Sequence, residues 1–172
     1  MPDTETAIGK DFLQIITGEL RKVKMQGDKA LAQVRDDRKI HLKLDEESNS
    51  IDIIVRHLAG NMLSRWTDFL TTDGEKPTRN RNAEFEPAPS LTRADLLAIW
   101  EKAWACLFTA LGALIPVNLE QKIRIAGQEL TAMDAILRQS LHYAAHVGQI
   151  VFLAKHLEWQ HWQSLSVPRK KP

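Results

Sequence analysis

Helical periodicity running between a few prolines is the strongest constraint on this chain. The seven prolines are Pro2, a cluster at Pro77, Pro87 and Pro89, then Pro116, Pro168 and Pro172. A proline inside a helix removes a backbone donor and clashes with the preceding turn, so long helices must lie between these positions. Four stretches carry apolar residues at spacings of three and four, the stripe of an amphipathic helix. The first, about 6–34, sets Phe12, Ile15, Ile16, Leu20, Val23, Ala30 and Leu31 on one side. Gly18 and Gly27 each weaken it by about 1 kcal/mol relative to alanine and predict a bend. The second, about 50–72, follows the cap-forming run Glu46-Glu47-Ser48-Asn49-Ser50 and carries Ile51, Val55, Leu58, Met62, Trp66 and Phe69.

The third helix, about 92–114, opens with Thr92 and Asp95 as a reciprocal capping pair and buries Leu96, Leu97, Trp100, Trp104, Leu107, Phe108 and Leu111 before Pro116 stops it. Alternation in Lys122–Leu130, interrupted by Gly127, predicts a small β-hairpin. Thr131 then caps a fourth helix, 132–157, and 159–172 reads as an extended tail pinned by its tryptophans. These elements predict an all-α fold, a four-helix bundle with a small β-hairpin before the fourth helix, as one domain over residues 1–172. Sites in bundles are built from side chains on facing helices. The long connection 73–89 is of a length that is more often functional than accidental.

A chain of 172 residues supplies one well-buried core and is short for two. Lys plus Arg number 23 against 22 Asp plus Glu, which gives no basic patch with which to hold nucleic acid or an anionic membrane. The single cysteine, Cys106, has no internal disulfide partner, as expected in a reducing cytoplasm. The polar N-terminus lacks the apolar core of a signal peptide, and no stretch approaches the ~18 apolar residues of a membrane span. The expectation is a soluble cytoplasmic protein.

Chemistry is suggested by three histidines. His142 and His146 stand one helical turn apart on the same side, where two imidazoles can bind one ion. Their stripe also holds Ala135, Ile150 and Leu153, so it points inward. His57, in the middle of the second helix, is the third candidate, between an apolar floor and a seam containing Asn61, Ser64, Arg65 and Asp68. Spacing alone leaves open the alternatives of surface or hydrogen-bonded core histidines. The metalloprotease pattern is excluded because Tyr143, Ala144 and Ala145 separate the pair, leaving no glutamate as general base.

The run Ser48–Ser50 through Ile54-Val55-Arg56-His57-Leu58-Ala59-Gly60-Asn61-Met62 to Phe69 resembles the second helix of DinB-like proteins. Thr71–Pro77, Arg79-Asn80-Arg81, His142–Ile150 and Leu165–Arg169 extend the likeness over nearly the whole chain. It is greatest to the branch of that superfamily catalogued as a domain of unknown function, from which Thr78 departs where an aromatic is expected. The resemblance implies an up-down-down-up bundle, commonly dimeric, with one divalent metal held by His57, His142 and His146; the ligand type suits Zn²⁺, Ni²⁺ or another imidazole-tolerant ion. It further implies a metal-dependent transferase or isomerase using a low-molecular-weight thiol, although some relatives have no known activity. Asn61 and Gln149, each near a ligand histidine, are candidates to orient metal-bound groups. Arg79 and Arg81 are candidates to bind a carboxylate-bearing thiol. The back of the fourth helix, with Ser140, Ala144, Val147, Gly148 and Val151, predicts a homodimer contact. A metal-dependent thiol S-transferase or hydrolase and a non-catalytic, stress-related metal- or ligand-binding bundle both fit the sequence.

Overall fold

Helices fill the intervals that the prolines leave. The computed structural model describes residues 4–167, in which α1 spans Thr4–Gln33, α2 Asp37–Ile40, α3 Ile51–Trp66, α4 Arg93–Gly112 and α5 Ala132–Leu157. Thr92 with Asp95 and Thr131 with Asp134 form full capping boxes at the starts of α4 and α5, satisfying donors that a helix start leaves free. Pro116 opens a 3₁₀ turn, Pro116–Glu120. The expected hairpin is β1 (Lys122–Ile125) paired antiparallel with β2 (Gln128–Thr131). Its two-residue turn, Ala126-Gly127, has positive φ at both positions, the twist that tight hairpins require.

Three local expectations change. The short α2 was not foreseen; Asp36 creates it by accepting from the Arg38 backbone N–H at 2.9 Å. α3 ends at Trp66 rather than near 72, because Thr67 turns extended and Asp68 takes φ of 49°. Phe69 nevertheless stays buried, its ring centroid 4.7 Å from that of Trp66. α1 runs without interruption through Gly18 and Gly27. Gly27 serves close approach: a Cβ there would lie 2.6 Å from Trp100 Cζ2 of α4.

The core is continuous. α3 packs chiefly on α4 and α1 on α5, while α3 also meets α5 and α1 meets α4. Leu58, Met62, Trp100, Trp104, Ile136 and Tyr143 are among its fully buried side chains. Val147 belongs to this core, close to the α1–α4 contact at Gly27. That corrects its grouping with an outward small-residue face, on which Ala144 and Gly148 are exposed and Val151 half-buried. Trp162 and Leu165 of the tail pack against the core, but Trp159 is exposed. The tail is held at Gln33, whose amide exchanges hydrogen bonds of 3.1 and 2.7 Å with the backbone of Gln163. Pro2, and Pro168, Arg169 and Pro172 of the tail, lie outside the described residues. Among the described residues no helix is long and apolar enough to cross a membrane.

The two α1 glycines give opposite expectations. Gly27→Ala overpacks the Trp100 contact and should destabilise the protein by about 1–3 kcal/mol. Gly18 has open space where a Cβ would go, so Gly18→Ala should stabilise it by about 0.5–1 kcal/mol. Urea denaturation of both variants measures the difference.

Candidate metal centre

α3 and α5 bring the three predicted histidines together. His57 is buried, 6% exposed, and His142 and His146 are half-buried. Ring centroids lie 5.4 Å apart for His57–His142, 5.1 Å for His57–His146 and 4.5 Å for His142–His146, all near edge-to-face. One ring nitrogen from each falls within 4.8 Å of the other two. Small side-chain rotations would bring all three to the roughly 2.0–2.1 Å at which imidazoles bind divalent ions.

His57 is fixed by a buried carboxylate. Its Nδ1–H donates to Glu84 Oε2 at 2.9 Å, which assigns the tautomer and leaves Nε2 as the free donor atom. Arg79 closes the other side of Glu84, with Nε to Oε1 at 2.7 Å and Nη2 to Oε2 at 2.8 Å. Burial works against ionising Glu84, but the hydrogen bonds from His57 and Arg79 outweigh it and hold the carboxyl below the usual range. Carboxylate–histidine pairs of this kind orient metal ligands and raise their basicity.

Glu84 reaches His57 because Gly60 is one turn farther along α3. A Cβ on Gly60 would sit 2.1 Å from Glu84 Oε1. Glu84 itself ends a 3₁₀ turn, Asn82–Glu84, in the long loop after α3. α3 pins that loop throughout. Arg56 donates to the carbonyls of Ala83 and Glu86 at 2.9 and 2.7 Å, Ser64 to that of Gly74 at 2.7 Å, and Arg65 to Glu75 at 2.8 Å. Asp73 ties its start to the hairpin by accepting from the N–H groups of Ala126 and Gly127, both at 2.8 Å. Phe85 lays its ring 5.1 Å from that of His57.

On α5, Gln149 Oε1 accepts from His146 Nδ1 at 2.8 Å. His142 Nε2 is buried with no hydrogen-bond partner, and so is Oε1 of Gln139, which shares the His146 side of α5. Burial, followed by the neighbouring His146 and His57, pushes His142 down to about 4. Burial also lowers His146, against the hydrogen bond to Gln149 that raises it. Both rings are therefore neutral at pH 7, the state in which imidazole binds metal. Asn61 touches none of the three rings by hydrogen bond. It accepts from the Tyr143 hydroxyl at 2.9 Å, and that hydroxyl accepts from Trp66 Nε1 at 2.9 Å. Asn61 thus sets the height of the residue beside His142 instead of contacting a ligand histidine.

The arginines also take other roles than expected. The Arg79 side chain is 5% exposed and engaged by Glu84 and Glu75, so its guanidinium is not free to take a carboxylate ligand. Arg81 lies over the Phe85 ring at 5.3 Å. Sequence reasoning missed Glu84 and the service Gly60 does it. A glycine within a helix, three residues after His57, signals close approach of something, but not of what.

A family described as a protein of unknown function (DUF1572) matches residues 7–171. The chain belongs to that family. No curated protein and no solved structure matches it. The family's description assigns no chemistry, so the reading of the centre rests on its geometry.

Two expectations follow for this member of DUF1572. Glu84→Gln and Gly60→Ala, which remove or displace the His57 partner, should each weaken divalent-metal affinity by about 10–100-fold in a competition titration. Because the folded site holds His142 near 4 and His146 below the usual 6.5, protons displace a metal there only at lower pH than from exposed histidines. Metal content after dialysis should stay constant from pH 7 to about 5.5 and fall as pH approaches the depressed values. Loss already complete near 6.5 would contradict this.

Proposed function

We propose that this protein holds one divalent metal ion on His57, His142 and His146 and acts as a metal-dependent thiol S-transferase. The observation that carries the reading is the orphaned Nε2 of His142, a buried polar atom beside two further imidazoles. Leaving such an atom unmet costs about 1–3 kcal/mol, and a metal bond removes that cost. Neutral imidazoles suit Zn²⁺ and Ni²⁺ alike. His57, His142 and His146 would hold such an ion, which would supply the chemistry of activating a thiol or water as a nucleophile at neutral pH. The chain's own contribution is orientation: Glu84 fixes His57, Gln149 fixes His146, and Phe85 shields one face of His57 from water.

A DinB-like up-down-down-up bundle is part of this reading. Support comes from contacts along the helices. Lys24 meets Glu101 and the Leu31 carbonyl meets Arg93, an antiparallel course for α1 and α4. His57 beside His146 and Asn61 beside Tyr143 make α3 and α5 antiparallel as well. A homodimer is also proposed. Leu137 and Leu141, 49% and 67% exposed, form with Ala144 the strip on α5 that a second copy would cover.

Elemental analysis of protein purified without added metal tests the centre. About one Zn²⁺ or Ni²⁺ per chain is expected in the wild type, and none in His142→Ala. Absence of metal from both proteins, even after incubation with Zn²⁺, would remove the basis of the proposal. Conjugation of a small thiol to an electrophile, assayed with and without chelator, then tests the transferase. Chelation should abolish turnover and added metal restore it.

A further inference from the structure

Beside the histidines lies a cleft of about 500 Å³, between the segment that follows α2, the first turn of α3 and the second half of α5. Its volume is that of a small-molecule site. The floor is apolar, made by Leu44, Ile54, Phe152 and Leu153. Leu44 and Phe152 are 42% and 62% exposed, so this floor is open to an entering molecule. The α5 wall is kept low by Ala145 and Gly148, and a Cβ added at Gly148 would meet nothing within 4 Å.

The cleft reaches the centre through Gln149. Gln149 lines it and accepts the hydrogen bond from His146 Nδ1. Ile54 stands one turn before His57 on α3, and Ala145 is the neighbour of His146. Its electrostatics are one-sided. Among the described residues no lysine or arginine lines it, and Glu47 is the one charged lining residue. Glu47 follows Asp45, whose carboxylate accepts from the N–H groups of Glu47 and Ser48 at 3.0 and 2.8 Å and so orders this wall. Hydrogen bonding from Ser48, its side chain first, keeps Asp45 more acidic than usual and therefore charged at neutral pH. An anion entering would lose hydration, meet these carboxylates and find no cation among the described lining residues. The arginines around the histidines are held elsewhere, Arg79 on Glu84, Arg65 on Glu75, and Arg56 on Asp52 and the loop carbonyls.

We propose that this cleft is the substrate-binding site of the three-histidine centre and that it takes a predominantly apolar molecule bearing no negative charge. The proposal rests on the metal reading for its chemistry, but the binding step does not need the metal. The apolar body covers Leu44, Ile54, Phe152 and Leu153, and a hydrogen-bonding group meets Gln149 at the end nearest His146.

The test uses two fluorescent probes of similar size, neutral N-phenyl-1-naphthylamine and the anionic anilinonaphthalene sulfonate. With metal-free full-length protein, the neutral probe should bind once per chain, at least about tenfold more tightly than the sulfonate, since a charge left unpaired costs more than 1.4 kcal/mol. Gly148→Phe, whose ring fills the cleft from the solvent side, should weaken neutral-probe binding at least about tenfold, a loss of roughly 1.4 kcal/mol, with unchanged Zn²⁺ content. Glu47→Lys should narrow the preference between the probes. Equal binding of the two probes, or full neutral-probe affinity in Gly148→Phe, would overturn the proposal. So would a Gly148→Phe effect that sedimentation traces wholly to a changed oligomeric state. Co²⁺ loaded on the histidines should quench the bound neutral probe in the wild type; bound Co²⁺ without quenching also overturns it. Failure of the protein to bind Co²⁺ at all, with probe binding intact, counts against the metal reading and leaves the cleft standing.

Discussion

The structure around the histidines depends on one buried carboxylate. Glu84 sits between the imidazole of His57 and the guanidinium of Arg79 with little solvent around it. Burying a carboxylate is costly unless it is paired and hydrogen-bonded, and this one accepts bonds at both oxygens. Removing any of the three partners leaves the other two mismatched, so the loop, α3 and the orientation of His57 stand or fall together. Gly60 is the steric condition for that arrangement, because any side chain there would occupy the carboxylate's place.

The long connection after α3 is therefore not a loose strap. Arg56, Ser64 and Arg65 each reach from α3 to its backbone, and Asp73 fastens it to the hairpin turn. Its polar groups are satisfied by one helix, and in return it delivers Glu84 and Phe85 to the histidine on that helix. The other two histidines are organised locally on α5, where Gln149 lies within a turn of His146. The centre is thus half tertiary and half local in origin.

That division explains what could be read in the sequence. The four long helices were legible because amphipathic periodicity and prolines act within a single segment, and the capping residues Thr92 and Thr131 mark two of their starts. The pair His142 and His146, and the partner Gln149, were legible for the same reason: spacing on one helix fixes who shares a face. His57 as a member of the same cluster came from family resemblance, since periodicity says nothing about which faces meet. Glu84 was invisible because nothing in Asn82-Ala83-Glu84 distinguishes a buried ligand partner from a solvated loop acid. Arg79 was misread for the same reason, as a loop cation available to a ligand. The early end of α3 turned on the positive φ of Asp68, a conformation open to aspartate but not announced by it.

The chain from Trp66 through the Tyr143 hydroxyl to Asn61 has a consequence of a different kind. Apolar contacts lack direction, so they define the axial position of a helix less sharply than hydrogen bonds do. With an axial rise of about 1.5 Å per residue, a slip of α5 by a single position against α3 would break both bonds and strand a phenol in the core. Tyr143 therefore works as a vernier between the two helices, and the residue it indexes is the histidine next door.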